Sequence, residues 1–264
     1  MIDRVDTFVG QARLQFRIIG ALLLRELATR YGRDNIGFLW LVGEPLLFCF
    51  GVMVMWSIIR PPYDHGIAVI PFVVTGYLPL TLLRHNIGQG INCIKVNSNL
   101  LYHRQITLLQ LFLSRAILEL AGVSLAFVVV VLAMIPFGLM EPPKSLSMVY
   151  IGWFLLDWIV FGMAMIFGSL AQFSEVVERA MNLATYVMIP LSGCFYMIAW
   201  LPYQYRANVM KIPLVNCEEM IRAGFFGEFY PTYYNIGYAV AWGLGLTFLG
   251  LILLSLVRKR VEID

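Results

Sequence analysis

LLQLFLSRAILELAGVSLAFVVVVLAMIPF, residues Leu108–Phe137, decides the class of fold, because almost every residue in it is apolar. Only Arg115 and Glu119 are charged within this stretch. A helix needs about 20 apolar residues to cross the hydrocarbon core of a bilayer. A single uninterrupted run of this kind predicts a transmembrane helix rather than a helix of a soluble domain.

Comparable stretches recur along the whole chain. Of its 264 residues, 60% are hydrophobic and 13% are charged, and the mean hydropathy is +0.77. A soluble domain needs more polar surface than this composition provides. The predicted spans are Ile36–Ile59, Ile67–Asn86, Leu108–Phe137, Leu146–Gln172, Ala180–Trp200 and Ile236–Val257. We therefore expect an all-α integral membrane protein with six transmembrane helices, of which Ile67–Asn86 is interrupted by proline and glycine.

The distribution of Lys and Arg predicts the orientation. Positive residues concentrate before the first predicted span, around Lys95 and Arg104, and at Arg258–Arg260. Cytoplasmic loops of membrane proteins carry an excess of Lys and Arg. An even number of spans places all three groups on one side, so both termini are predicted to be cytoplasmic.

The segment Phe8–Arg30 has apolar residues at helical spacing among arginines. It is too charged to cross the membrane, and the pattern favours a helix lying in the membrane interface. The alternative is a soluble amphipathic helix packed on a partner. We expect residues 1–32 to form this cytoplasmic unit and residues 33–264 to form the six-span domain.

Two loops between the spans carry further helical signals. The inner loop Asn92–Gln105 has the form of a short helix with exposed Leu100 and Leu101, which is either a docking point for a cytoplasmic partner or a solvated connector. The outer segment Leu201–Asn235 is too long and too apolar for an ordinary loop, and it predicts two short helices that re-enter the outer leaflet. These are Tyr203–Met210 and Cys217–Phe225, the second starting at Asn216 with Glu219 as a reciprocal cap.

Ionisable residues inside predicted spans are candidates for function, because burying a charge at the bilayer centre costs about 2.5–3.5 kcal/mol. Glu44 either has a functional role, lining a transport pathway or coordinating the adjacent interface, or a structural one, pairing with Arg84 or capping the backbone freed by Pro45. Arg84 either attracts an acidic glycan or lipid phosphate or marks the inner end of its span. Asp157 is either a pathway or dimer contact or a hydrogen-bond partner of a neighbouring helix. Arg115 and Glu119 are predicted to pair with each other at helical spacing.

Aromatic residues deep in the spans are a second candidate group, because sugar rings stack on aromatic faces. The alternative is the interfacial aromatic belt of membrane proteins. The candidates for lining a channel are Trp153, Trp158, Tyr186 and Tyr196.

Several chemistries lack their motifs in the sequence. No lysine follows a glycine, as it does in the phosphate-binding loop of ATPases, so any ATP hydrolysis is expected on another chain. The four cysteines are far apart, and no Ser-His or His-Asp arrangement emerges. We predict no catalytic residue, metal or cofactor on this chain. A membrane-embedded enzyme and a secondary transporter remain as alternatives of other classes.

Short motifs in a fixed order carry a family resemblance. They are Arg25-Glu26-Leu27, Glu44-Pro45-Leu46, Asn97-Ser98-Asn99-Leu100-Leu101, Trp200-Leu201-Pro202, and Pro213-Leu214 followed by Glu219 and Arg222. With them the chain resembles the membrane subunits of ABC-2 type transporters, and among these the capsular polysaccharide exporters. Ile212 departs from the pattern, because the family often has Asn before Pro-Leu.

The resemblance implies a working model. Such permeases form homodimers that bind two cytoplasmic ABC ATPase subunits, which hold ATP and Mg. The cargo is lipid-linked capsular polysaccharide, with O-antigen, teichoic acid or lipid as alternatives, and nucleic acid is not expected as a partner. A periplasm-spanning adaptor and an outer-membrane channel are further expected partners. The resemblance implies that the residues coupled to the ATPase are Arg25, Glu26, Asn97, Asn99, Leu100, Leu101, His103 and Arg104. It implies a re-entrant helix that contains Asn216, Glu219 and Arg222.

Overall fold

The described part of the chain is a bundle of α-helices with one short hairpin. The computed structural model describes residues 8–31, 37–101 and 106–261. The helices within these ranges are α1 (Phe8–Tyr31), α2 (Gly37–Ile59), α3 (Val69–Val96), α4 (Ser98–Leu101), α5 (Leu108–Met134), α6 (Leu146–Leu170), α7 (Glu175–Leu191), α8 (Tyr203–Val209), α9 (Pro213–Phe226) and α10 (Ile236–Val261). The strands β1 (Tyr63–Asp64) and β2 (Ile67–Ala68) pair in an antiparallel hairpin between α2 and α3.

Four helices within the described ranges are long and apolar enough to cross a bilayer. Their qualifying stretches are Leu39–Ile59 in α2, Leu108–Met134 in α5, Leu146–Leu170 in α6 and Ile236–Arg258 in α10. The chain is therefore an all-helical integral membrane protein, as its composition predicts.

The predicted start of α5 at Leu108 is confirmed and has a local cause. The Thr107 side chain accepts a hydrogen bond from the Gln110 backbone N–H at 3.3 Å. The Gln110 side chain accepts one from the Thr107 backbone N–H at 2.8 Å. This capping box satisfies two backbone donors that the first turn of a helix leaves unpaired.

Helix α3 lies in the middle of the bundle, where it contacts α2, α5, α6, α7 and α9. The predicted end of this helix at Asn86 was wrong, because α3 continues through the first part of the predicted inner loop to Val96. Its apolar side chains are buried along most of this length. Pro79 lies inside the helix, where the surrounding helices compensate for the lost backbone donor.

Gly76 of α3 packs directly against the segment that follows α7. A Cβ atom at Gly76 would lie 2.6 Å from the Cys194 carbonyl oxygen and 2.9 Å from Arg222 Nη2. Gly88, on the same helix, has nothing within 4 Å of a Cβ atom. The close approach of these two segments therefore depends on the missing side chain at Gly76.

This difference gives a matched test of the packing. We expect Gly76→Ala to lower the free energy of unfolding by about 1–3 kcal/mol through overpacking. Gly88→Ala is expected to raise it by about 0.5–1 kcal/mol, because alanine is the better helix former. Denaturant unfolding in detergent micelles measures both values. Equal stability of the two variants would contradict the close approach at Gly76.

Helix α7 is shifted relative to its predicted span, Ala180–Trp200. It begins at Glu175, after Ser174 accepts a hydrogen bond from the Val177 backbone N–H at 3.2 Å. It ends at Leu191, so the last part of the prediction was wrong. Gly193 then adopts a φ of +93°, in the left-handed region that favours glycine, which turns the chain out of the helix. A short 3₁₀ turn follows at Ile198–Trp200.

The segment at residues 201–235 contains the two short helices that the sequence predicts. Helix α8 agrees with the prediction, but α9 begins at Pro213 rather than after Asn216. Proline suits the first position of a helix, because its fixed φ is helical and its missing N–H has no partner there. Asn216 therefore lies inside α9, and the predicted capping box was wrong. Helix α9 packs on α3, α6 and α10, and most of its side chains are buried.

Candidate functional site

Buried ion pairs join α1 to α5. Arg30 Nη1 lies 2.5 Å from Glu119 Oε1, and Arg30 Nη2 lies 2.8 Å from Glu26 Oε1. Arg115 Nε lies 3.1 Å from the same Glu26 oxygen. The predicted pair between Arg115 and Glu119 does not form, because each of them turns to a residue of α1. These four side chains define what we call the α1–α5 ion cluster.

The arginines and glutamates of this cluster stabilise one another's charges. Burial lowers the pKa of Arg30, but the neighbouring carboxylates of Glu119 and Glu26 raise it by more, so the pKa lies above its ordinary value. Glu119 has only 3% of its side chain exposed. A buried carboxylate of this kind depends on its cationic partners, because an unpaired buried charge is costly.

His85 of α3 connects the ion cluster to α2. Its Nδ1 lies 3.1 Å from Glu119 Oε2, and its Nε2 lies 3.8 Å from Glu44 Oε1. Glu44 has 54% of its side chain exposed, so it is the outward end of this chain of contacts. No ion pair joins Glu44 and Arg84 among the described residues. The Arg84 guanidinium lies instead over the Phe48 ring, 5.6 Å from its centroid.

These residues border an open groove between α2 and α3, with a volume of about 350 Å³. We call it the α2–α3 groove. Its lining residues are Trp40, Glu44, Pro45, Leu47, Phe48, Thr81, Arg84 and His85. The structure thus places Glu44 and Arg84 in one groove without the ion pair that the sequence offers as an alternative. It adds His85, which sequence reasoning missed as a site residue.

A second connection ties α1 to the end of α3. Arg25 Nη1 donates a hydrogen bond of 2.9 Å to Asn97 Oδ1, and Asn97 Nδ2 donates one of 2.9 Å to the Cys93 carbonyl oxygen. Asn97 is buried, and Glu26 is also buried, so neither presents its side chain at the surface.

The short helix predicted in the loop at residues 92–105 exists as α4. Asn99 is exposed, whereas Leu100 is half-buried and packs against a small apolar cluster that includes Leu22 and Ile94. The Leu101 side chain, His103 and Arg104 lie outside the described residues. Of the predicted pair of exposed leucines, Leu100 is therefore partly used in packing.

The aromatic and acidic candidates in α6 bond to neighbouring helices. Trp153 is buried, and its Nε1 donates to Ser124 Oγ at 2.8 Å. Trp158 Nε1 donates to Thr247 Oγ1 at 3.0 Å. Asp157 Oδ1 accepts from Asn86 Nδ2 at 3.3 Å, which is the hydrogen bond to a neighbouring helix that the sequence left open as one alternative.

The other two aromatic candidates lie at and beyond α7. Tyr186 is 63% exposed on a helix that has no buried residue. Tyr196 is half-buried in the irregular segment after α7. The structure does not bring the aromatic candidates together into one surface of the single chain.

Side chains of α9 hold the irregular segment that follows α7. Arg222 has no exposed surface, and it donates to the carbonyl oxygens of Gly193 at 2.8 Å, Cys194 at 2.9 Å and Tyr196 at 2.6 Å. Its guanidinium also lies 4.4 Å from the centroid of the Phe72 ring. One side chain thereby satisfies three carbonyl groups that no regular helix pairs.

Two further side chains of α9 bind the backbone of neighbouring segments, mainly the one that leads into α10. Glu219 accepts hydrogen bonds from the backbone N–H groups of Ile198 and Tyr233, both at 3.0 Å. Asn216 Oδ1 accepts one from the Asn235 backbone N–H at 2.7 Å. Both residues, predicted to cap their own helix, instead cap segments distant in sequence.

Glu218 is a buried group that sequence reasoning missed. It is 1% exposed, and neither of its carboxylate oxygens has a hydrogen-bond partner within the described ranges. Glu218 and Glu219 are adjacent and chemically identical, so the sequence does not indicate which of the two carboxylates has hydrogen-bond partners.

Comparison with known proteins places the chain in a family. It is 38% identical over 256 residues to the capsule polysaccharide export inner-membrane protein CtrC of Neisseria meningitidis serogroup B, covering 97% of each chain. It is 35% identical to the capsule polysaccharide export inner-membrane protein BexB of Haemophilus influenzae, again over 97% of each. The polysialic acid transport protein KpsM of Escherichia coli is 21% identical over 92% of this chain and 93% of its own. No protein-family model matches the chain. An all-helical membrane protein that aligns from end to end with CtrC and BexB at these identities belongs to the family of capsule polysaccharide export inner-membrane proteins.

Proposed function

We propose that the chain is the permease subunit of an ATP-driven ABC transporter that exports lipid-linked capsular polysaccharide across the inner membrane. The observation that carries this proposal is the alignment with CtrC and BexB over 97% of both chains. The chain itself performs no catalysis in this scheme and holds no cofactor. ATP and Mg bind to two cytoplasmic ABC ATPase subunits.

The proposed topology has six spans, with α3 and α7 completing the four that qualify by length and apolarity. Both termini lie in the cytoplasm, on the side that carries most of the Lys and Arg. Residues 1–32 form the interface unit and residues 33–264 the membrane domain. Helices α8 and α9 re-enter the outer leaflet, which is supported by the burial of α9 among α3, α6 and α10.

A homodimer encloses the channel in this proposal. Glu44 supports it, because a carboxylate with 54% exposure is costly against lipid and favours a water-filled cavity or a protein contact. The outward face of α2 and the exposed face of α7 are available for such contacts, since α7 has no fully buried residue although one side of it packs on α3 and α6. We assign Glu44, Arg84 and Tyr186 to the pathway surface.

Movement of the ATPase subunits reaches the membrane domain through α1 in this scheme. The ion cluster and the Arg25–Asn97 hydrogen bond support this role, because they couple α1 to both α3 and α5. The surface of α4 at Asn99 contributes to the ATPase contact. A periplasm-spanning adaptor and an outer-membrane channel receive the polysaccharide on the far side.

Deletion of the gene tests the proposed function. We expect capsule to disappear from the cell surface and lipid-linked polysaccharide to accumulate on the cytoplasmic side of the inner membrane. Expression of the intact chain in the deletion strain is expected to restore the surface capsule. An unchanged surface capsule after deletion would contradict the proposal, and accumulation of O-antigen instead would assign a different cargo.

Purification tests the proposed partners. We expect the detergent-extracted chain to retain a cytoplasmic ATPase, and the purified assembly to hydrolyse ATP. Transport of a solute by the chain alone would contradict the need for a separate ATPase.

A further inference from the structure

The α2–α3 groove has one face that suits a charged group and another that suits a hydrocarbon chain. Arg84 and His85 are its cationic and titratable side chains from α3. The opposite wall consists of side chains of α2 that are exposed in the single chain, namely Trp40 at 54%, Leu47 at 61% and Phe48 at 44%. A surface with both properties fits an amphiphile rather than a fully polar ligand.

Arg84 is the group of the groove that needs an anion. Among the described residues no carboxylate lies within ion-pair distance of its guanidinium, which lies over the face of the Phe48 ring. The planar guanidinium presents a fork of N–H donors that matches the oxygens of a phosphate. Glu44, on the rim, repels an anion but lies nearest to His85 rather than to Arg84.

We propose that the α2–α3 groove binds the phosphate headgroup of an amphiphile, with Arg84 as the principal cation and the α2 side chains against the hydrocarbon chain. The inference deepens the proposed function and rests on it for the biological role, because the proposed lipid-linked cargo is itself an amphiphile. Binding itself is a property of the groove that is measured without transport.

The position of the groove supports a ligand drawn from the membrane. His85 contacts Glu119, and Glu119 contacts Arg30 of α1, so the groove lies at the level of the end of α1. An α1 helix in the interface, as proposed, places the groove beside the lipid headgroups of the same leaflet. A phosphate bound there neighbours His85, and the contact with Glu119 links that histidine to the α1–α5 ion cluster.

Fluorescence quenching tests the inference on the full chain in phosphatidylcholine nanodiscs. Bromododecyl phosphate is the probe, because bromine quenches tryptophan on contact and Trp40 lines the groove. Bromododecanol is the neutral control of equal chain length. We expect half-maximal quenching by the phosphate at a concentration about tenfold lower than by the alcohol, the factor expected of a charge-assisted hydrogen bond. Trp40→Phe is expected to remove the part of the quenching that the phosphate probe produces and the alcohol does not.

Variants at the two charged residues of the groove are expected to act in opposite directions. Arg84→Gln should remove the preference for the phosphate but keep quenching by the alcohol, which shows that the groove is folded. Glu44→Gln should strengthen phosphate binding by about threefold, because a nearby negative charge is lost. Lys95→Gln is the matched control, since this exposed cation of α3 pairs with Glu178 at 3.6 Å, and no change is expected.

Three results would overturn the inference. They are equal quenching by the two probes, an undiminished phosphate preference in Arg84→Gln, and weaker phosphate binding in Glu44→Gln. Displacement of the probe by an equal concentration of inorganic phosphate would assign the groove to a soluble anion and overturn the choice of an amphiphile. A negative result here leaves the deletion test unaffected, so failure of the inference and failure of the proposed function are separable.

Discussion

Arg222→Met is expected to destabilise the protein more than any substitution at an exposed cation. The methionine removes the buried side-chain donor of the carbonyl oxygens of Gly193, Cys194 and Tyr196. Of these, Gly193 keeps a longer hydrogen bond of 3.4 Å from the Tyr196 backbone N–H. Glu218 and Glu219 also lose a neighbouring positive charge. Removing one partner from such a buried set costs about 3–5 kcal/mol, which is a large part of a typical folding free energy of about 5–15 kcal/mol.

Denaturant unfolding in detergent micelles measures this effect. Lys144→Met is the control, because Lys144 is 54% exposed and pairs with Glu141 at the surface, where a change within about 0.5 kcal/mol is expected. The loss of unfolding free energy in Arg222→Lys is expected to lie between those of Arg222→Met and Lys144→Met, since a single ammonium group replaces a fork of five donors. Wild-type stability of Arg222→Met would show that the three carbonyl groups find other partners.

Glu119→Gln is expected to release α1 from the bundle. The substitution keeps the shape of the side chain but removes the charge that Arg30 and His85 share. A hydrogen bond to a charged group contributes about 1.5–3 kcal/mol, so trypsin cleavage after Arg25 and Arg30 is expected to accelerate about ten- to hundredfold. The rate of appearance of the shortened chain measures the opening of α1.

The control for this experiment is Glu178→Gln, which removes the half-buried partner of the exposed Lys95 and is expected to leave the cleavage rate unchanged. A double-mutant cycle with Arg30→Met, read from cleavage after Arg25 because this substitution removes the other site, isolates the pair: the second substitution then costs much less than the first. Full additivity of Glu119→Gln and Arg30→Met would contradict a direct interaction. Under the proposed function, Glu119→Gln also lowers capsule export while ATP hydrolysis continues.

Much of the helical framework is predictable from the sequence alone. Long apolar runs predict α2, α5, α6 and α10, because only a continuous helix satisfies the backbone in hydrocarbon. The amphipathic pattern predicts α1 from Phe8 almost to its end at Tyr31. These features depend on composition and on spacing within one element, which a single sequence displays directly.

The errors fall where distant segments decide the local structure. Hydropathy extends α7 to Trp200, but the chain leaves the helix at Gly193 because Arg222 pairs the carbonyl groups there. Helix α3 continues beyond its predicted end because other helices surround it, so polar residues do not mark a loop. Such effects depend on contacts between residues far apart in the chain.

The candidate site likewise has residues that the sequence reveals and contacts between helices that it does not. Glu44 and Arg84 are recognisable in the sequence, since charged residues within apolar spans are rare. The pairing of Arg115 and Glu119 was predicted from their helical spacing, whereas the structure pairs them with Glu26 and Arg30 of α1. A spacing of four residues makes a local pair possible, but it carries no information about a competing partner on another helix.

The contacts of α9 determine when, during synthesis of the chain, this helix can complete its hydrogen bonds. Arg222 binds carbonyl groups that precede it in the chain, so its acceptors have already been synthesised when α9 leaves the ribosome. Glu219 and Asn216 also need the backbone N–H groups of Tyr233 and Asn235, which are synthesised later. During translation the insertion machinery therefore has to shelter a polar helix until the segment before α10 emerges.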